Sequence, residues 1–157
     1  MLGPASGEER YHKPMPIVGH GIDIVEVGRL RQLIDRHGDR FLSRCFTPAE
    51  LAYAQRRPQR FAEHLAARFA AKEAVMKVLG TGLRHGIGWC DIEVVRLPSG
   101  QPTLRLEGQA LEIARQRGIA RWHLSLSHVT SHATASAIGL REESAGISAL
   151  GNPHEPQ

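Results

Sequence analysis

Cysteine and aromatic residues are scarce in this chain of 157 residues, and it has no long apolar run. The two cysteines, Cys45 and Cys90, are too few for a disulfide framework, so we expect a reducing, cytoplasmic location. Aromatic residues make up 5% of the chain, which argues against the base-stacking surfaces of single-strand-binding proteins. No apolar run reaches the roughly 18 residues that a membrane span needs, and residues 1–16 show no apolar core of a secretory signal. We therefore expect no association with a membrane.

Lysine is also rare, and arginine supplies most of the positive charge. Lysines are three of the 20 basic residues, and the chain carries a formal net charge of +4. Residues 29–84 contain twelve basic and five acidic residues, so the positive charge is concentrated in about one third of the chain. Such a concentration indicates an anionic partner: a nucleic acid, a phosphate-bearing ligand or an acidic protein. The alternative is an arginine-rich gene composition with a merely solvated surface.

The order of the expected elements predicts a single α+β domain over residues 16–142. Residues 1–15 and 143–157 are rich in Gly, Pro, Ser and Glu without apolar periodicity, and we expect them to be flexible tails. The pattern predicts helices at 28–37, from Thr47 to about Arg57, at 61–79 and at 109–117, and strands at 17–27, 91–96, 102–106, 122–128 and 133–140. Thr47 and Glu50 form a capping box, and Gly80 is placed to cap the longest helix.

In the helix predicted at 61–79, residues 68–77 carry four ionisable side chains on a largely apolar surface. On a helical wheel, Arg68 and Lys72 fall inside the apolar sector, and Glu73 and Lys77 fall next to each other on the adjoining face. Buried charges are costly unless they are paired or bound to a ligand. The simpler alternative is that the long side chains reach solvent and that Glu73 pairs with Lys77 one turn away.

Asp23 lies in a strand between Ile22 and Ile24, so its carboxylate also needs a partner. Together with Glu73 it would supply two hard oxygen ligands, which suits Mg²⁺, because Mg²⁺ often binds one or two carboxylates, waters and substrate phosphates. The alternative is that Asp23 caps a turn or pairs with an arginine.

Other candidate residues give weaker signals on their own. His128 ends a strand and does not have zinc spacing with His123 or His132, so a structural role is the simpler interpretation. The backbone at Gly80 follows the long helix and could approach a phosphate closely, or it could be an ordinary loop. The chain contains neither a Walker A sequence nor a GxGxxG sequence.

Three arginines in the first helix fall on one stripe of the helical wheel, provided that the helix continues across Gly38. They are Arg29, Arg36 and Arg40. Exposed arginines in a row suit an acidic helix or a phosphate backbone, and the alternative is again a solvated face.

Three segments, in this order and at these separations, resemble the holo-acyl carrier protein synthases, the small type of 4′-phosphopantetheinyl transferase. They are GIDIVEVGRL (21–30), ARFAAKEAVMKVLGTG (67–82) and HLSLSH (123–128). The resemblance covers about residues 17–140. It implies an α+β fold with an antiparallel sheet wrapped around a long helix, and a homotrimer with each site between two subunits. It also implies Mg²⁺-dependent transfer of phosphopantetheine from coenzyme A to a serine of apo-acyl carrier protein, in fatty-acid or polyketide synthesis.

The resemblance also implies roles for individual residues. Asp23 and Glu73 match metal ligands, and Lys77 matches a lysine at the pyrophosphate. The residues that match those around the coenzyme A phosphates are Arg68, Lys72 and His128, and Arg60 matches a basic residue near the adenosine phosphate. The positions that match those meeting the carrier protein are Arg29, Arg36 and Arg40. Gly80 belongs to the same expected coenzyme A site. The sequence departs from the family pattern at His20 and at Val129.

Two other functions compete with this interpretation. A metal-dependent nuclease also uses an Asp, a Glu and a Lys, although it usually places the Glu and Lys one residue apart on one strand. A non-enzymatic nucleic-acid-binding module would explain the computed pI near 9.6 but not the buried carboxylates. We expect neither nucleic acid nor membrane as a partner.

Overall fold

The computed structural model describes residues 17–142, which form four α-helices and five β-strands. In chain order they are β1 (Ile17–Glu26), α1 (Val27–Cys45), α2 (Pro48–Gln55), α3 (Phe61–Leu79), β2 (Ile92–Arg96), β3 (Pro102–Leu106), α4 (Gly108–Gln116), β4 (Ile119–His128) and β5 (His132–Arg141). The predicted tails, 1–15 and 143–157, lie outside the described residues. No helix within residues 17–142 is both long enough and apolar enough to cross a membrane.

Three long strands form an antiparallel sheet in the order β1, β5, β4. In this register Asp23 lies opposite Ala135, and Ala135 lies opposite Leu126. Alternate residues of β5, Ala133, Ala135 and Ala137, are buried against α3, since successive side chains of a strand point to opposite faces. The hairpin of β2 and β3 forms a second, separate sheet.

Helix α3 is the centre of the molecule, and its alanines are the reason that it fits there. Small side chains such as Ala70 and Ala74 are fully buried, so the sheet and the other helices approach the helix closely. One part of the core lies between α3, the sheet, β2 and α4, and another lies between α3, α1 and α2. This arrangement confirms the α+β prediction, and α3 has the predicted bounds.

Helices α1 and α2 differ most from their predicted extents. Helix α1 continues to Cys45, but Gly38 interrupts it with φ 51° and ψ −136°, a conformation that a glycine adopts easily. Helix α2 ends at Gln55, before the short 3₁₀ turn that begins at Pro58. The capping box at its start is formed as predicted: Thr47 Oγ1 accepts from the Glu50 backbone N–H, and Glu50 Oε2 accepts from the Thr47 N–H.

Candidate active site

Strand β1 crosses α3 so closely that one position must be glycine. A Cβ atom at Gly21 would lie 2.0 Å from the Ala74 carbonyl oxygen and 3.2 Å from Lys77 Cβ. This close crossing brings Asp23, two residues further along β1, to the face of α3 that carries Glu73 and Lys77. The Gly-Ile-Asp segment therefore supplies the close approach and the carboxylate together.

Lys77 joins β1 to α3 at this crossing. Its Nζ donates to the Ile22 carbonyl oxygen at 2.6 Å and to Asp23 Oδ1 at 2.9 Å. The lysine side chain is 53% exposed, whereas that of Asp23 is 19% exposed. The ion pair considered from the sequence, Glu73 with Lys77, is replaced by the pair between Lys77 and Asp23.

Glu73 completes a group of two carboxylates and one ammonium. Burial raises the pKa of Glu73, the nearby negative charge of Asp23 raises it further, and Lys77 opposes both effects. Both carboxylates line a groove of about 600 Å³, to which Arg29 and His132 also contribute.

The two carboxylates fit a divalent cation. A cation would relieve the repulsion that raises the pKa of Glu73. Within residues 17–142, no group of three or more His, Cys, Asp or Glu side chains is placed to hold a metal. A cation held by two protein carboxylates would take its other ligands from water and substrate, which is the usual arrangement for Mg²⁺.

Arg68 and His128 lie together near the N-terminal half of α3. Arg68 is 3% exposed, its Nη1 donates to the His64 carbonyl oxygen at 3.1 Å, and its guanidinium lies 4.0 Å from the centre of the Tyr53 ring. His128 Nδ1 lies 3.5 Å from Glu63 Oε2. Burial lowers the pKa of Arg68, and Glu50 and Tyr53 oppose this effect.

Arg60 is exposed in the 3₁₀ turn directly before α3. It is thus available to a ligand that approaches the start of this helix.

Lys72 requires a correction. Its side chain is fully buried, and its Nζ makes an ion pair with Glu50 Oε2 at 2.8 Å and donates to the Trp89 carbonyl oxygen at 3.0 Å. Glu50 Oε1 accepts in addition from the Val94 N–H. The family resemblance had implied that Lys72 meets a coenzyme A phosphate. In the structure Lys72 instead holds α2 and β2 against α3, and its ammonium is not available to a phosphate.

Gly80 caps α3 in the left-handed conformation, as predicted. Its N–H donates to the carbonyl oxygens of Met76 and Lys77, so this donor is already used within the helix cap. A Cβ at this position would lie 2.8 Å from Arg117 Nη1, which itself donates to the Leu79 carbonyl oxygen. The geometry gives Gly80 a role in ending the helix rather than in donating to a phosphate.

The predicted arginine stripe is interrupted by the break at Gly38. Arg29, Arg36 and Arg40 are all exposed, but Arg40 follows the break and is not on the same continuous helix as the other two. Arg29 lines the groove of Asp23 and Glu73, whereas Arg40 lines a second groove of about 300 Å³ with His37, Phe41 and Arg44. The wheel argument thus holds for Arg29 and Arg36 and fails for Arg40.

Sequence reasoning missed the surroundings of Arg68. Tyr53, His64 and Arg96 are brought together from α2, α3 and β2, so no local spacing marks them as a group. Glu50 was identified as a cap residue, but its pairing with Lys72 was not predicted. The sequence did contain a signal for this pair: Lys72 falls in the apolar sector of the helical wheel, so its ammonium needs a buried carboxylate as a partner.

Residues 19–137 match the family model described as the 4′-phosphopantetheinyl transferase superfamily. This chain belongs to that superfamily. The holo-[acyl-carrier-protein] synthase of Koribacter versatilis is 53% identical over 122 residues, which cover 78% of this chain and 97% of that protein.

Solved structures agree with this assignment. The Bacillus anthracis holo-(acyl-carrier-protein) synthase in complex with CoA (3′,5′-ADP) has a TM-score of 0.66 and 34% identity, and the match covers 81% of this chain and 99% of that one. The Helicobacter pylori holo-[acyl-carrier-protein] synthase in complex with coenzyme A has a TM-score of 0.67 and 28% identity, and the match covers 76% of this chain and 98% of that one. The predicted family, the transferase fold and the enzyme class are confirmed. The roles of individual residues stay predictions.

Proposed function

We propose that this phosphopantetheinyl transferase moves 4′-phosphopantetheine from coenzyme A to a serine of an apo-acyl carrier protein and releases 3′,5′-ADP. The observation that carries the proposal is the group of Asp23, Glu73 and Lys77, which the crossing at Gly21 brings to one groove. The names of the relatives and the coenzyme A bound in the related structures support the same reaction.

Asp23 and Glu73 would hold Mg²⁺ in this site. When bound, the ion polarises the phosphoryl group under attack and offsets the charge that develops on its oxygens. The protein contributes the fixed position of the two carboxylates, because β1 and α3 are rigid elements in close contact.

In the reaction the serine oxygen of the carrier protein bonds to the phosphorus next to pantetheine. The bond from that phosphorus to the bridging oxygen breaks, and 3′,5′-ADP leaves with the electron pair. Glu73 accepts the serine proton through a water molecule.

Lys77 would stabilise the charge on the leaving nucleotide. An ammonium has three N–H donors, and the two bonds to Ile22 and Asp23 leave one for a ligand. Such positioning and charge neutralisation supply most of the catalysis in phosphoryl transfer.

The proposed assembly is a homotrimer with sites between subunits. The exposed isoleucines on the outward face of β1 support this proposal, because Ile22 and Ile24 are 60% and 66% exposed in the single chain and another copy would bury them. The exposed arginines of α1 would meet the acidic carrier protein, and the pathway served would be fatty-acid or polyketide synthesis.

The direct test is the mass of a carrier protein after incubation with this protein, coenzyme A and Mg²⁺. We expect a gain of one phosphopantetheinyl group, with no gain when the acceptor serine is replaced by alanine or when the metal is chelated. Absence of any gain with several apo-carrier proteins would contradict the proposal. Cleavage of plasmid DNA with Mg²⁺ would favour the nuclease instead.

A further inference from the structure

Three guanidinium groups surround the ring of Tyr53 on the side of the molecule formed by α2, α3 and β2. The Arg68, Arg96 and Arg56 guanidinium carbons lie 4.0, 5.2 and 5.9 Å from the ring centre. Among the ion pairs of residues 17–142, none joins these three arginines to a carboxylate. We call these residues, together with His64, the Tyr53 cluster. Clustered cations without counter-ions attract an anion.

His64 belongs to this cluster and has an unsatisfied ring nitrogen. Its ring centre lies 5.3 Å from that of Tyr53 and 5.8 Å from that of His128. His64 Nε2 and Arg68 Nε are both enclosed and lack a hydrogen-bond partner within the described part of the chain. Enclosed polar atoms without partners are costly, so such a pair indicates a bound water, ion or ligand or a functional role.

The charges around His64 are mostly positive. Arg68 and Glu63 face it from α3, Arg57 from the segment after α2, and His128 from β4. Burial lowers the pKa of His64, and Arg68, His128 and Arg57 lower it further, while Glu63 opposes them. These effects favour the neutral form of His64, and an anion in the cluster would favour its protonated form.

Arg96 is the exposed member that is held in position. Its Nη1 donates to the Gly100 carbonyl oxygen at 2.9 Å, across the turn between β2 and β3. This bond fixes the guanidinium beside Tyr53, so a ligand would not have to order it on binding. Lys72 was expected to bind a phosphate but is buried and paired with Glu50, so another cation has to bind that phosphate, and Arg96 is placed to do so.

We propose that Arg96 and His64 determine specificity for a phosphate monoester on the donor nucleotide, and that His64 takes up a proton when this phosphate binds. The inference rests on the proposed function, since coenzyme A and 3′,5′-ADP both carry a monoester at the 3′ position. Arg96 supplies a fixed cation for this phosphate. The negative charge of the bound phosphate offsets the positive charges that favour neutral His64, so His64 can take up a proton.

The first experiment measures calorimetric binding of 3′,5′-ADP and of 5′-ADP, which lacks the 3′-phosphate, to the full chain. Arg96→Gln should weaken 3′,5′-ADP about tenfold or more and 5′-ADP less than about threefold. Arg96→Lys, which keeps the charge, should retain an intermediate affinity and excludes misfolding as the cause. Arg115→Gln, a matched change of an exposed arginine on α4, should leave both affinities unchanged.

The second experiment measures proton uptake on binding 3′,5′-ADP at pH 7.5, in buffers of different ionisation enthalpy. The phosphate is already a dianion there, since its second pKa is about 6, so uptake reports on the protein. The wild type should take up a fraction of a proton, and His64→Phe should abolish this uptake. His123→Phe, at an exposed histidine on the outward face of β4, should retain it.

Equal affinity of the wild type for both nucleotides would overturn the inference, and so would Arg96→Gln and His64→Phe variants that behave like the wild type. Either result leaves the proposed function standing if the carrier protein still gains phosphopantetheine. Failure of the transfer assay with the wild type would instead overturn the proposed function.

Discussion

The two lysines of α3 are five residues apart, and burial gives them different roles. Lys72 is fully buried and paired with Glu50, whereas Lys77 is half exposed and paired with Asp23. A buried ion pair contributes little net stability compared with apolar residues, but removal of one partner leaves a charge that water cannot reach. Lys72 is thus essential to the packing of α3, and Lys77 is available to a ligand.

Replacement of Lys72 by methionine should therefore destabilise the fold by about 3–5 kcal/mol, because the Glu50 carboxylate stays buried without its counter-ion. Lys77→Met, on the same helix, should cost less than about 1 kcal/mol. Urea unfolding followed by tryptophan fluorescence measures both, since Trp89 contacts Lys72. The double variant Glu50→Gln/Lys72→Met should be less destabilised than the sum of its single changes. Equal, small losses for the two lysines would contradict the assigned roles.

The carboxylates in the groove are the second residue-scale case. Asp23→Asn and Glu73→Gln should each reduce kcat/KM on the order of 10³-fold, since each removes one of two protein ligands and so several kcal/mol of transition-state stabilisation. Addition of Mg²⁺ should raise the Tm of the wild type but not of either variant. Glu112→Gln, an exposed change on α4, is the matched control and should behave like the wild type. Near-normal turnover of either variant at moderate Mg²⁺ would refute the metal site.

At the scale of elements, the site depends on how closely β1 crosses α3. Gly21→Ala would place a Cβ 2.0 Å from the Ala74 carbonyl oxygen, and backbone atoms on both sides leave little room to adjust. We expect a loss of about 1–3 kcal/mol or more in stability and a larger loss of activity, because Asp23 moves away from Glu73.

Gly28→Ala is the matched control for this change. The nearest atom to its added Cβ is Glu26 Oε1 at 3.6 Å, and Gly28 lies at the start of α1 with an ordinary backbone conformation. This variant should be neutral or slightly more stable, because alanine reduces the entropy of the unfolded chain. Thermal unfolding and the transfer assay measure both variants, and similar results for the two would show that the crossing does not govern the site.

The elements themselves were predictable to a large extent because their signals are local. The capping box at Thr47, the alanine-rich run of α3 and Gly80 at its end each depend on neighbours in the chain. Whether the first helix continues across Gly38 was left open, since a glycine inside an apolar helical pattern is compatible with continuation or interruption.

The partners within the site were less predictable because they join distant segments. Asp23 and Glu73 were selected together from residue type and family resemblance, but the bond from Lys77 to Asp23 follows from the packing of β1 on α3. The Tyr53 cluster draws on α2, α3 and β2, and no periodicity within one element shows that these side chains meet.

Over the whole molecule, positive charge surrounds a site that acts on anions. The excess in residues 29–84 includes the arginines of α1, Arg56 and Arg68 of the Tyr53 cluster, and Lys77. In the proposed function such a field would attract both coenzyme A and an acidic carrier protein and would raise their association rates. The two substrates would approach different parts of it, the nucleotide near α3 and the protein along α1.

Charge reversal on α1 separates these two approaches. Arg36 and Arg40 are exposed, and neither lines the groove of Asp23 and Glu73, so Arg36→Glu/Arg40→Glu changes the surface without touching the carboxylates. If α1 meets the carrier protein, the KM for carrier protein should rise about tenfold or more, while the KM for coenzyme A should change less than about twofold. Exposed charges act mainly on the association rate, so kcat should stay near the wild-type value.

Salt provides the check on this last prediction. The Debye length falls from about 10 Å at 0.1 M to about 3 Å at 1 M, so added salt should weaken carrier-protein binding by the wild type and reduce its advantage over the double variant. Arg115→Glu/Arg121→Glu, a matched reversal of two exposed arginines near the other end of the fold, should leave both KM values unchanged. Unchanged KM values in the α1 variant would show a merely solvated face. Equal losses for both substrates would indicate damage to the fold or to a subunit contact, and docking on α1 would then be wrong.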